Sequence, residues 1–277
     1  MMIDCLLREV ESIVRNADEY KRTMIQLKEV LRKEYAESGG FMELSSEEAV
    51  FIGDVHGDYD TLKRILRDIP DRGLIIFLGD YIDRGPQQIE VLALVAKLKI
   101  ERPDKVHLIR GNHEPPLKLI PFPHDYPDIL REAYGRKRGE ELYSLSLEVF
   151  QYMPYAIKLG KVLALHGGLP TRHDEFVRNP PLSLLEEVLW NDPMEIEGES
   201  APSPRGAGFL FGKKVTRRWS ERLGFSKLIR GHEPCDGVRV NHDGMVITVF
   251  SRLGPPYYNS NAGIVIYERG ICKFKLY

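Results

Sequence analysis

The chain has 277 residues, 43% hydrophobic and 29% charged, the balance of a globular protein long enough to bury a sizeable core. Its 39 Lys and Arg nearly offset 41 Asp and Glu, for a net charge of -2, so the charge calls for neither a nucleic-acid nor a membrane partner. Three cysteines, Cys5, Cys235 and Cys272, are widely spaced and odd in number, which argues against a disulfide framework or structural zinc site and for a reducing, cytoplasmic setting.

Residues 1–48 are expected to be helical, with Ile3, Leu6, Leu7, Val10, Ile13 and Val14 on one face, then Met24, Leu27, Val30 and Leu31 on another. No signal peptide is expected in this acidic start. Gly39 and Gly40 end the region. Three short apolar runs follow, AVFI before Gly53, GLIIFL before Gly79 and KVHLI before Arg110, each expected to be a buried strand. Helical spacing over Tyr59 to Ile69 and over Gln87 to Leu98 separates them, so the region predicts a parallel βαβαβ unit and an α/β fold. A loop from Pro115 precedes a helix expected to end near Phe150. The rest is strand-rich, interrupted by the polar loop EIEGESAPSPRGAG, and no linker divides the chain, so 1–277 reads as one domain.

Metal-capable residues stand after five of these strands. They are Asp54 and His56 in FIGDVHG, Asp80 and Asp83 with Arg84 in FLGDYIDRG, Asn112 and His113 with Glu114 in LIRGNHE, His166 in LALHGG, and His232 in LIRGH. Ligands of α/β sheets bind outside the carboxyl ends of strands. Alone, a Gly-Asp pair is a turn or a cap, and Asp58 and Asp60 are read as caps of the next helix. His107 reads as a core residue, and His124, His173 and His242 lie in loops without a partner pattern. Two aspartates, three histidines and one asparagine exceed one ion's needs and suit two ions sharing a carboxylate. The lack of thiolate favours manganese, iron or zinc.

The order GDVHG, GDYIDRG, RGNHE, HGG and RGH resembles the metal-dependent phosphoprotein phosphatase family of eukaryotic-type serine/threonine phosphatases. LWNDP (Leu189 to Pro193), PRGAGFLFG and the late segment from Phe250 to Gly263 extend the resemblance over nearly the whole chain. It implies a calcineurin-like metallophosphoesterase fold, a central β-sandwich flanked by helices with an N-terminal helical segment. It also implies that Asp54 and His56 hold one divalent ion, that Asp80 bridges, and that Asn112, His166 and His232 hold a second. His113 is then the general acid oriented by Asp83, Arg84 and Arg205 clamp the phosphate beside Asn112, and a hydroxide bridging the two ions attacks phosphoserine or phosphothreonine. Implied partners are phosphoprotein substrates and regulatory proteins.

The resemblance breaks at SRLGPPYYNSNAG, where an ungapped match puts Pro255 in place of the family's active-site tyrosine, leaving Tyr257 or Tyr258 as the candidate replacement. Two competing readings are a dinucleoside polyphosphate hydrolase with the same metals and a phosphopeptide-binding module without turnover.

Overall fold

A computed structural model describes residues 2–70 and 72–277. The elements run α1 (Met2–Val14), α2 (Ala17–Ser38), β1 (Phe41–Leu44), β2 (Glu48–Ile52), α3 (Tyr59–Asp68), β3 (Leu74–Phe77), α4 (Gln88–Glu101) and β4 (Val106–Leu108). Then come α5 (Tyr126–Tyr134), α6 (Arg136–Phe150), β5 (Ala156–Leu159), β6 (Val162–Leu165), α7 (Leu182–Trp190), β7 (Asp192–Pro193), β8 (Ser200–Pro202) and β9 (Phe209–Phe211). The chain ends with α8 (Lys213–Leu223), β10 (Lys227–Arg230), β11 (Val238–Asn241), β12 (Val246–Val249), β13 (Gly263–Glu268) and β14 (Ile271–Leu276).

Two sheets form the centre, one in the order β1-β5-β6-β10-β12-β11 and one in the order β14-β13-β2-β3-β4. The period-2 alternation of strands sorts their side chains between layers. In β2 and β3, Phe51 and Ile76 point inward to meet Ile157, Ala164, Ile229 and Ile247 of the facing sheet. Their neighbours Val50, Ile52, Ile75 and Phe77 point the other way, into a helical layer that includes Leu27, Leu31, Leu62, Leu92 and Leu142. On the opposite side Leu163, Leu165 and Leu228 pack under Val188 and Leu189 of α7 and Trp219 of α8. Each such buried side chain contributes roughly 1.5–3 kcal/mol, so both faces of both sheets are held by burial. The N-terminal helices join the first helical layer, with the Asn16 side chain accepting from the N–H groups of Asp18 and Glu19 to cap α2.

The sequence reading needs three corrections. Residues 41–44 are not helical: after Gly39 and Gly40 the chain forms edge strand β1, parallel to β5. Its four residues carry no clear alternation, and their partner Ala156 lies far along the chain. The helix ending at Phe150 is two helices, broken at Gly135, whose φ of +79° is readily adopted by glycine. The polar loop contains β8, which pairs with β9 and joins β7 in a small third sheet.

Candidate active site

β2, β3 and β4 run parallel, as do β6, β10 and β12, and the loops after these strands meet. The His232 N–H donates to Asp54 Oδ1 at 2.9 Å, and the His113 N–H to Asp80 Oδ1 at 2.9 Å. This tight convergence needs glycine at two positions: a Cβ on Gly111 would stand 2.2 Å from Asp80 Oδ1, and one on Gly231 would stand 2.3 Å from Asp54 Oδ1. His56, Asp80, Asp83, Arg84 and His232 all have positive φ. Each costs on the order of 1–3 kcal/mol, strain that persists only where the surroundings over-determine it.

The imidazoles are oriented from behind. His166 Nδ1 donates to the Leu78 carbonyl at 2.9 Å, so in the neutral ring, the form that can hold an ion, Nε2 carries no proton. That bare nitrogen faces Asn112 Oδ1 at 2.8 Å and Asp80 Oδ1 at 3.3 Å. His56 Nδ1 likewise donates to the Ile82 carbonyl at 2.7 Å, and its Nε2 faces Asp80 Oδ2 at 3.3 Å and Asp54 Oδ2 at 3.9 Å. His232 Nδ1 lies 3.0 Å from Asn112 Oδ1. Acceptors therefore confront acceptors in a buried space, an arrangement that positive charge between them relieves. Burial opposes charging His166, yet Asp80 and then Asp54 pull its pKa up to about 9, so without an ion a proton on Nε2 would answer the same clash that a cation answers. Carboxylate, imidazole and amide oxygen fit hard or borderline divalent ions. Asp80 offers one oxygen to the His56 side and the other to the His166 side, so the residues fit two ions sharing it.

A cavity of about 340 Å³ opens over these donors, lined by His56, Asp80, Arg84, Asn112, His113, Arg205, His232, Trp190, Phe122 and Tyr257. A larger one, about 740 Å³, lies by β1 and holds none of them. Asp54 is buried beneath. Both arginines reach the cavity, and Arg205 is no free surface charge: its Nε donates to Asp192 Oδ2 at 2.6 Å, while Arg230 holds the other Asp192 oxygen at 2.8 Å. His113 donates from Nδ1 to Asp83 Oδ2 at 2.5 Å. Its ligand-capable atoms also come within 4.8 Å of those of His56 and Asp80, so proximity alone does not separate it from the metal donors; the Asp83 hydrogen bond does.

Of the two late tyrosines, only Tyr257 lines the cavity. Tyr257 stacks on His56 with ring centroids 5.9 Å apart and meets Phe250 edge-on, whereas Tyr258 is 79% exposed. Three supporting roles are not legible in the sequence, one of them that of Glu114, which reads there only as a metal-capable residue. Glu114 is fully buried and accepts from the N–H groups of Asp80, Tyr81 and Gly111, bracing the loop that carries the shared carboxylate. Asp192 anchors Arg205. His124, read as unpartnered, puts Nδ1 2.7 Å from Asp83 Oδ2. His107 and His242 are buried away from the cavity, and His173 lies near Glu187, 3.9 Å from Oε1. Asp58 caps α3 as expected, accepting from the Thr61 N–H.

The model of the calcineurin-like phosphoesterase family matches residues 49–236, more than half of the chain and all five donor-bearing strand ends. The chain belongs to the calcineurin-like phosphoesterase family. A probable serine/threonine-protein phosphatase of Encephalitozoon cuniculi is 38% identical over 231 residues, covering 79% of this chain and 49% of that protein. Human serine/threonine-protein phosphatase 5 is 34% identical over 252 residues, covering 82% of this chain and 47% of that protein. The chain thus spans about half the length of these curated relatives. A solved structure of a protein serine/threonine phosphatase from Saccharomyces cerevisiae superimposes with a TM-score of 0.78 at 23% identity, covering 95% of this chain and 90% of that one. The calcineurin-like phosphoesterase fold is therefore this chain's fold, helices on both faces of a β-sandwich, as the motif order implied.

Proposed function

We propose that the chain is a metal-dependent protein serine/threonine phosphatase that hydrolyses phosphoserine and phosphothreonine monoesters in phosphoprotein substrates. The observation that carries the reading is the cavity in which Arg84 and Arg205 stand over the donor set beside His113. In this reading Asp54, His56 and Asp80 hold one divalent ion and Asp80, Asn112, His166 and His232 a second. Bound there, the ions lower the pKa of a water and draw in the phosphate. Manganese is the expected activator, with iron or zinc as other candidates for the resident metal.

The chain's own residues do the rest. The planar forks of Arg84 and Arg205 bind phosphate oxygens, with Asn112 beside them, and hold phosphorus in line for attack. Tyr257 walls the cavity over His56 and contacts the bound ester. The new bond forms between the water oxygen and phosphorus, and the bond from phosphorus to the serine or threonine oxygen breaks. His113 gives the proton on Nε2 to that leaving oxygen, with Asp83 holding Nδ1–H so that Nε2 faces the cavity. The attacking water's proton is released to solvent, and solvent returns a proton to His113 Nε2 for the next turnover. Curated relatives at 34–38% identity that are named as serine/threonine phosphatases support this substrate class. Cys5, Cys235 and Cys272 stand free, which supports a reducing, cytoplasmic location.

Hydrolysis of phosphoserine, phosphothreonine and phosphotyrosine peptides beside a dinucleoside polyphosphate, each with and without manganese, tests the reading. The expected result is manganese-dependent turnover, fastest on the first two. A dinucleoside polyphosphate cleaved far faster than any peptide overturns the substrate class and leaves the metal site standing.

A further inference from the structure

We propose that His124 is a positioning residue for proton donation, acting on His113 through Asp83. Asp83 is wholly buried and takes four hydrogen bonds. Its Oδ1 accepts from the backbone N–H groups of Asp125 and Tyr126, both at 3.0 Å. Its Oδ2 accepts from two imidazoles, His113 Nδ1 at 2.5 Å and His124 Nδ1 at 2.7 Å. Three of the four donors are thus the consecutive residues 124–126, so the end of the loop after Glu114 wraps the carboxylate that orients His113.

The second imidazole has its own support. Tyr143 of α6 stands with its hydroxyl 2.9 Å from His124 Nε2. With the phenol donating there, the His124 proton is fixed on Nδ1, the atom that faces Asp83. Its side chain is only 6% exposed, and the ring's far nitrogen points at Tyr143 and away from substrate, so it has no part in proton transfer itself. Two backbone N–H groups on Oδ1 leave the carboxylate free to swing Oδ2 out of line. A second N–H on Oδ2 removes that freedom and fixes the direction from which His113 is held. Burial alone would raise the Asp83 carboxyl, but the bonds from His113 and His124 keep it far below the usual carboxylate range, so the anion is present to orient both rings.

The inference rests on His113 being the proton donor, and the test separates the two. Turnover of a phosphoserine peptide, whose alkoxide leaving group needs a proton, is compared with that of p-nitrophenyl phosphate, whose leaving group scarcely does. The variants are His124→Leu, His124→Asn, Tyr143→Phe and His113→Asn, all with manganese and with bound metal measured. His124→Leu should lower kcat on the peptide about tenfold, in the range usual for partners that orient an active-site group. It should leave nitrophenyl turnover within about twofold and keep KM and metal content. His124→Asn, whose amide can donate to the same Asp83 oxygen, should restore most of the loss. Tyr143→Phe, which keeps the ring in the helix, should give a smaller loss on the peptide alone and carries the test should His124→Leu not fold. Equal losses on both esters from the His124 and Tyr143 variants, or no loss on the peptide, overturn the inference. His113→Asn should cost roughly 10²–10⁴-fold on the peptide and much less on the aryl ester. If it costs the same on both, the acid reading falls and this inference with it.

Discussion

The floor of the cavity and its rim are built on different terms. The floor consists of Asp54, His56, Asp80, Asn112, His166 and His232, all nearly inaccessible to solvent and set closely after parallel strands, with His56 and His166 aimed by backbone carbonyls and Asp54 and Asp80 by backbone N–H groups. The rim consists of loops: residues 115–125 with Phe122 94% exposed, the Pro-Gly segment carrying Arg205, and residues 251–261 with Tyr257 turned in and Tyr258 turned out. Donors fixed by a packed sheet hold charge with little reorganisation, which the chemistry needs. Side chains on loops adapt to what surrounds the phosphate, which selectivity needs. A change in the floor should therefore act on every substrate alike, and a change in the rim should discriminate between them.

Asp80→Asn should have the largest effect. One neutralised carboxylate weakens both halves of the donor set, so bound metal and activity should fall together on peptide and aryl ester. The loss should exceed the roughly 10–100-fold typical of removing an outer partner of a metal ligand. Chelation of the unmodified protein should have the same consequence, reversed by manganese. Metal analysis beside kinetics reads this, and full occupancy of two ions in the Asn variant would remove Asp80 from its shared position.

Arg205→Ala lies between the two regions, because the residue sits on a rim loop but is tied by Asp192 to buried Arg230. If it clamps phosphate, KM should rise and kcat should fall, by roughly 10²-fold in kcat/KM, since a charge-assisted hydrogen bond that tightens in the transition state contributes to both. The loss should be similar for all phosphate esters. A change in KM alone, and only for long peptides, would make Arg205 a rim residue with no role toward the phosphate.

The same division governs what could be read from the sequence. Each floor donor follows its strand by a few residues, so local patterning gave strand, turn and ligand together, and LIRGNHE or FIGDVHG carry the chemistry in one short window. The rim depends on distant pairs. His124 meets Asp83 41 positions away, and nothing around His124 announces it. Tyr257 and Tyr258 are adjacent and chemically identical, so only the fold, which stacks one on His56, distinguishes them. Glu114 stood inside a recognised motif, yet its work, accepting three backbone N–H groups, appears only when the loops of β3 and β4 are folded against each other. The misread β1 and β8 are short edge segments whose strand character comes from their partners.

The smallest expected effect is at the outermost rim. Phe122 and Pro121 line the cavity beside Arg84, and Phe122 has almost no cover of its own. A ring left exposed at the mouth of a phosphate cavity has apolar area to give to a residue flanking the phosphorylated one, and losing that contact should cost about 1 kcal/mol. Phe122→Ala should therefore raise KM about threefold to tenfold for peptides with an apolar neighbour. Its kcat should stay close to that of the parent, and p-nitrophenyl phosphate, which has no flanking residue, should be turned over as before. Because the side chain is exposed, thermal stability should not change, which separates this outcome from a folding defect. Matched phosphothreonine peptides with leucine or glycine beside the phosphoresidue give the comparison directly. An equal rise in KM for both, or a fall in kcat on the aryl ester, would mean that the loop shapes the floor as well as the rim, and that the two regions are not as separate as their burial suggests.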